Sequence, residues 1–376
     1  MQDLLAHGSL SREPTPFFAF DLDRVARNYS RVRDAFGTEH VHYAVKANNQ
    51  PTILTALRET GAKFEVGSQG EINLLQQLDV SAADIIFSAP VKLDSDIVYA
   101  YRAGVRLFVF DSVAELVKLA TNAPGAQVLV RISVSSEGSM FPLNDKFGAS
   151  PREAVTLLRR AGRAGLNPHG VAFHVGSQCE RKETWVEAME TVLWVWENAR
   201  DLPLHALNIG GGFPAAYKDG TPAVEDIASE VRAALSLFPR DIELVVEPGR
   251  VIVADAGVLV ASVVGKARRD GKEWLYLDVG ALNGLFEAVQ AGRRFPFRVC
   301  SEKPAPPGIH YVLTGPTCDP DDTILEDVCL PEMDLRDRVG IMNVGAYSLV
   351  YASEFGGFPP PKVHFMLGDR QRARSL

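Results

Sequence analysis

A lysine stands at the end of the apolar run His40-Val-His-Tyr-Ala-Val-Lys-Ala-Asn-Asn49. Val41, Tyr43 and Val45 alternate with His42 and Ala44, so the spacing predicts a strand that projects Lys46 at its carboxyl end, as an amine nucleophile or an ordinary solvated lysine. Val245-Val-Glu-Pro-Gly-Arg250 ends another apolar run in a carboxylate, and burying Glu247 is costly without a cationic or hydrogen-bonded partner. A protonated ring nitrogen would be such a partner, and so would Arg250. Phe173-His-Val-Gly-Ser-Gln178 sets His174 just before a Gly-Ser turn, either as a satisfied core residue or as a neutral ring that stacks on an aromatic cofactor. Ser177 is a turn serine or a donor to a phosphate. In Asn208-Ile-Gly-Gly-Gly-Phe213, Gly210, Gly211 and Gly212 suit a tight turn at positive φ or let backbone N–H groups close on a phosphate. Their spacing matches neither a dinucleotide fingerprint nor a Walker loop.

These residues need a frame that brings strand ends together. Residues 17–20 read as a first strand and 21–36 as a helix, with Asp21 able to cap it. Strands then recur at 40–45, 63–66, 84–87, 105–110, 127–133, 170–174, 206–209 and 243–247, separated by amphipathic helices. Eight βα units predict a (β/α)8 barrel, with a doubly wound sheet as the alternative. The barrel is favoured because unusual residues gather at the carboxyl ends of the strands, among them Lys46, Ser88, Asp111, Arg131, His174 and Glu247. Beyond about residue 261 strand-like runs follow one another without long helices, which predicts a C-terminal β domain. The division expected is a segment 1–21 joining the β domain, a barrel over 22–261 and the β domain over 262–376.

Composition narrows the classes. A net charge of -8 without a basic cluster argues against a nucleic-acid partner. Nowhere do about 18 apolar residues run unbroken, which argues against a membrane partner and for a cytoplasmic protein. Cys179, Cys300, Cys318 and Cys329 lack CxxC spacing, so neither a disulfide scaffold nor a metal site is expected.

An amine nucleophile, a buried carboxylate, a flat ring and a glycine cradle on one barrel rim describe a pyridoxal 5'-phosphate site. Tyr-Ala-Val-Lys46-Ala-Asn, His174-Val-Gly-Ser-Gln, Gly210-Gly-Gly-Phe and Glu247-Pro-Gly249-Arg250 resemble the motifs of the fold-type III pyridoxal-phosphate decarboxylases, the ornithine and diaminopimelate decarboxylase family. Gly315-Pro-Thr-Cys318-Asp319, Gly345-Ala-Tyr347 and Phe355-Gly-Gly-Phe358 resemble its ornithine/lysine branch. The resemblance implies an alanine racemase-like barrel, Lys46 as the Schiff-base lysine, and Glu247 on the ring nitrogen. It implies a homodimer in which Cys318 and Asp319 complete the partner's site, with Cys318 protonating the α-carbon and Asp319 facing a distal ammonium. The resemblance also implies that Tyr347 helps hold the phosphate; Arg131, Glu71 and Lys146-Phe-Gly148 match further positions near the cofactor or the interface, and Phe355 lies toward the substrate.

The expected activity is decarboxylation of ornithine or lysine to a diamine, as in polyamine biosynthesis. Three departures bear on the substrate. The run Asn283 to Gln290 offers Glu287 but no aspartate, Gly356 replaces an asparagine, and Glu65 stands where aspartate is common. A decarboxylase of a larger intermediate and a non-catalytic, antizyme-inhibitor-like binding protein are the alternatives; racemisation is disfavoured because the chain resembles the cysteine-bearing family.

Overall fold

Runs such as Ile85-Ile-Phe87 and Leu107-Phe-Val-Phe110 have no polar face, as suits strands covered on both sides. In the computed structural model, which describes residues 10–303 and 306–366, eight strands pair in parallel. They are β1 His42–Ala44, β2 Lys63–Val66, β3 Ile85–Phe87, β4 Leu107–Phe110, β5 Gln127–Arg131, β6 Asn167–Ala172, β7 Ala206–Asn208 and β8 Glu243–Val245. Each pairs with the next along the chain, and a parallel bridge between Val41 and Val246 closes β8 on β1. The His42 amide donates to the Val246 carbonyl (2.8 Å) and the Ala44 amide to that of Pro248 (3.0 Å). Closure removes the edges that an open sheet would expose.

Helices separate the strands, and their starts are set locally. Ser68, Ser112 and Ser150 each accept the amide three residues on, and Glu153 returns the bond to the Ser150 amide in a capping box. The barrel forms one compact unit, Ala26–Pro214 with Thr221–Ile252. The second unit takes the described parts of Met1–Val25, Ala215–Gly220 and Val253–Leu376. Its sheet runs in the order Arg298–Ser301, Arg338–Met342, Gly257–Arg269, Lys272–Leu277, Ile309–Thr314, Thr323–Leu330. Phe17–Asp21 pairs antiparallel with Gly257–Arg269 and parallel with Lys362–Met366. No helix among the described residues is long and apolar enough to cross a membrane.

The strand boundaries differ from those read in the sequence. The first strand ends at Ala44 because Val45–Ala47 turns as a short 3-10 helix. The sixth starts at Asn167, through Pro168, which has no N–H to give the ladder; the register shift against β5 falls just there. Arg298–Ser301 and Thr323–Leu330 are strands whose interspersed charges hid them.

At the amino-terminal ends of the barrel strands lie His40, His42, His169 and His205 with Lys63 and Glu243. His40 Nδ1 is 3.0 Å from Glu243 Oε1 and 3.2 Å from Lys63 Nζ. His42 is buried, and burial together with the Lys63 charge pulls its pKa from 6.5 down to about 3. The folded chain therefore keeps His42 neutral where the unfolded chain takes up a proton, so stability is lost as pH falls below about 6.5 toward 3. Thermal unfolding followed across pH 7.5 to 4 is expected to show the wild-type midpoint falling more steeply than that of His42→Leu; parallel curves would refute this role.

Candidate active site

The turn after β1 places Lys46 just beyond the barrel's carboxyl rim. Its Nζ lies 2.5 Å from Oε2 of Glu65 on the neighbouring β2, where Ala44 and Glu65 are register partners. The lysine side chain is 53% exposed and the carboxylate 3%, so an accessible amine is tethered to a buried anion.

Glu247 follows β8. The Ser88 hydroxyl, just past β3, donates to its Oε1, as does Asn208 Nδ2 at the end of β7 (2.7 Å). Both donors use one oxygen, which leaves Oε2 to accept from a bound group. Burial, then the charge of Glu65, raises the Glu247 pKa, against the two hydrogen bonds and Lys46. A desolvated carboxylate of this kind gains most from a cation at close range.

His174 lies two residues beyond β6 and accepts the Gly176 N–H at Nδ1 (3.0 Å), which places its proton on Nε2. Burial, then Arg131 and Lys46, hold its pKa well below the usual histidine range, so the ring is neutral. The glycine turn packs between this ring and Glu247. A Cβ on Gly211 would meet the Glu247 carbonyl at 2.4 Å and His174 Nε2 at 3.4 Å, and one on Gly210 would meet the Phe173 carbonyl at 2.4 Å. Gly210 and Gly212 have φ of +64° and +93°. The turn thus requires glycine for its own geometry.

Ser177 opens the strand Ser177–Cys179, paired with Ser139–Phe141. Its Oγ accepts Arg250 Nη2 (3.2 Å), and Arg250 lies over the Phe141 ring at 5.8 Å, three residues after Glu247 and next to Gly249. Accepting from arginine leaves the serine proton to give to an anion. Arg131 ends β5 with its guanidinium 5.5 Å from the Phe147 ring; burial lowers its pKa while Glu247, Asp111 and Glu65 oppose that shift. Glu71 is raised by burial and by Glu65, and accepts the Gly67 amide (2.6 Å).

The barrel unit therefore gathers Lys46, Arg131, His174, Ser177, Gly210 to Gly212, Glu247, Gly249 and Arg250. The remaining candidates belong to the second unit. Cys318 is exposed and Asp319 half-buried in the turn after the strand Ile309–Thr314. Asp319 Oδ1 accepts the Asp321 amide (2.8 Å), as a turn aspartate does. Asp322, fully buried, accepts the amides of Thr317 (3.0 Å) and Leu282 (3.2 Å) and so ties the Cys318 turn to residues 280–283. Glu287 is buried in the short helix Glu287–Gln290, and Phe355 is exposed in a turn. Tyr347 has φ +54°, a backbone strain that a bulky residue tolerates only where its surroundings impose it. Asn208 and Asp322 escaped the sequence reading as functional candidates, and Ser88 was marked only as a strand-end residue: each is an ordinary polar residue whose partner the sequence does not reveal.

Comparison with known proteins follows the same lines. The family described as pyridoxal-dependent decarboxylase, pyridoxal binding domain, matches residues 22–254. A lysine/ornithine decarboxylase of Selenomonas ruminantium is 37% identical over 357 residues, 92% of this chain and 88% of that protein. Antizyme inhibitor 2 of Xenopus laevis is 32% identical, covering 98% of this chain and 84% of its own. The crystal structure of the arginine decarboxylase of Paramecium bursaria Chlorella virus bound to agmatine superposes with a TM-score of 0.91 at 28% identity, covering 97% of this chain and 100% of that one. The half-buried carboxylate, the neutral imidazole and the Ser177–Arg250 pair fit a cationic aromatic ring bearing a phosphate, and the chain belongs to the fold-type III pyridoxal-dependent decarboxylases, with pyridoxal 5'-phosphate as its cofactor.

Proposed function

We propose that the chain decarboxylates a basic L-amino acid, ornithine or lysine, releasing CO2 and a diamine, and that it works as a cytoplasmic homodimer with shared sites. The observation that carries this reading is the convergence of Lys46, His174 and Glu247 beyond the carboxyl ends of β1, β6 and β8, taken with the presence of Cys318-Asp319 in the sequence.

Lys46 is the residue that would hold the cofactor through its amine, and Glu65 keeps that amine close to the rim. When bound, the cofactor supplies a protonated aromatic ring that accepts the electron pair left as the bond from Cα to the carboxylate breaks. Glu247 would hold a proton on the ring nitrogen, since its carboxylate, partly desolvated beside the charge of Glu65, gains from a cation at close range. His174 would pack against the ring, and its neutral state would spare that cation a like charge. Ser177, Arg250 and the turn of Gly210 to Gly212 would hold the phosphate, and the family resemblance assigns Tyr347 the same task. The partner subunit's Cys318 returns a proton to Cα, and the partner's Asp319 pairs with the distal ammonium. Glu287 is the nearest sequence candidate for a second acidic contact, and Phe355 lines the substrate side.

The visible absorbance band of the Lys46-bound cofactor is expected in the wild type and absent in Lys46→Ala; a wild type with neither cofactor nor turnover would favour the binding-protein reading. In amine-product assays on a panel of basic and larger amino acids, ornithine or lysine is expected to lead. Cys318→Ala should lower product formation by about 10²- to 10⁴-fold with the cofactor band intact. Preference for an extended substrate over free ornithine would replace the substrate assignment, and unchanged turnover in Cys318→Ala would replace the proton donor.

A further inference from the structure

Between β3 and the helix Asp94–Ala103 the usual pattern of inside and outside is inverted. Val91 and Leu93 are 60% and 68% exposed, while the side chain of Lys92 between them is fully buried. Lysine is among the residues least often buried, so its place under two exposed aliphatic neighbours has to be explained by what it holds.

Lys92 Nζ donates to the carbonyls of Ala89 (2.8 Å) and Val109 (2.6 Å) and lies 2.9 Å from Glu115 Oε1. Its own amide donates to the same carboxylate oxygen (3.2 Å). Lys118 reaches Glu115 Oε2 (2.6 Å) and the Lys92 carbonyl. The loop after β3 is thereby pinned at both ends, to the end of β4 through Val109 and to the helix Val113–Asn122 through Glu115 and Lys118. Burial pulls the ammonium from 10.5 to about 8, as for a charge whose water has been replaced by fixed oxygens.

The loop so pinned carries Ser88, whose hydroxyl donates to Glu247 Oε1. Ala89, whose carbonyl Lys92 grips, is the next residue. We propose that Lys92 is a positioning residue for the cofactor site: with Glu115 it fixes the Ala89 carbonyl, the fixed peptide aims the Ser88 hydroxyl, and the hydroxyl orients the carboxylate of Glu247 toward the ring nitrogen. This rests on the reading of Glu247 as that nitrogen's partner. A purely structural ammonium would hold the barrel together without affecting how the cofactor binds.

The test uses the full chain stripped of cofactor and titrated with pyridoxal 5'-phosphate, reading the dissociation constant and the position of the visible band. Lys92→Met and Ser88→Ala are each expected to raise the dissociation constant about tenfold and to move the band alike, and the double variant no further than the larger single effect. An unchanged constant in Lys92→Met, or single effects that multiply in the double variant, would overturn the proposal. Should Lys92→Met fail to fold, Glu115→Gln takes its place in the same cycle, where a tenfold rise shared with Ser88→Ala supports the proposal and an unchanged constant overturns it. Glu247→Ala separates the layers: if it alters neither constant nor band, the underlying reading of Glu247 fails, whereas an effect there with none in Lys92→Met rejects the positioning role alone.

Discussion

A half-buried carboxylate, held by neighbours from opposite arcs of the ring, is the constraint on which this barrel's reactive rim depends. Glu247 gains donors from Ser88, beyond β3, and from Asn208, at the end of β7. Strand β3 is the third from β8 around the ring by way of β1, so the Ser88 contact exists only because the bridge between Val41 and Val246 closes the sheet. An open, doubly wound sheet would leave these ends far apart and the charge uncompensated. Glu65 adds a second anion and Lys46 and Arg131 the cations, so the rim is a small network of unlike charges in which a bound cationic ring completes the set.

The glycine turn shows how a structural demand and a chemical one coincide. Asn208 accepts the Gly210 amide at Oδ1 (2.8 Å) while giving its Nδ2 to Glu247, and the Glu247 amide donates to the Gly210 carbonyl (2.8 Å). A side chain on Gly211 would displace the very backbone that carries the carboxylate. The sequence left a tight turn and a phosphate cradle as competing readings; the packing accounts for the tight turn.

What the sequence disclosed follows from the same geometry. Lys46, His174 and Glu247 were legible because each ends an apolar run, and in a (β/α)8 barrel run ends share one face. The barrel itself was legible from period and spacing. Strand limits were not, since Val45 continues the alternation of β1 yet turns away from it, and Pro168 looks like a stop but is tolerated at a register shift. Asn208 and Asp322 were hidden for a different reason: their residue types are ordinary and their partners lie 39 and 5 residues away; Ser88 was legible as a strand-end residue, but its partner, 159 residues on, was not. Lys92 was hidden most completely, because a lysine between two aliphatic residues reads as the solvated member of the trio, the reverse of its burial.

Buried ion pairs are weak sources of stability, since removing both charges from water costs about as much as their attraction returns. The pair of Lys92 and Glu115, with side chains 0% and 2% exposed, is therefore poorly explained as a fastening for the barrel, which apolar residues would fasten as well. What apolar residues cannot do is fix the direction of a peptide carbonyl. An ammonium with three donors spends two of them on the Ala89 and Val109 carbonyls and the third on a carboxylate, so the loop beside Ser88 is left with one orientation rather than several. Directional order of this kind matters beside a charge whose partner has to be met at hydrogen-bond distance, and the barrel places it at the rim where Glu247 stands.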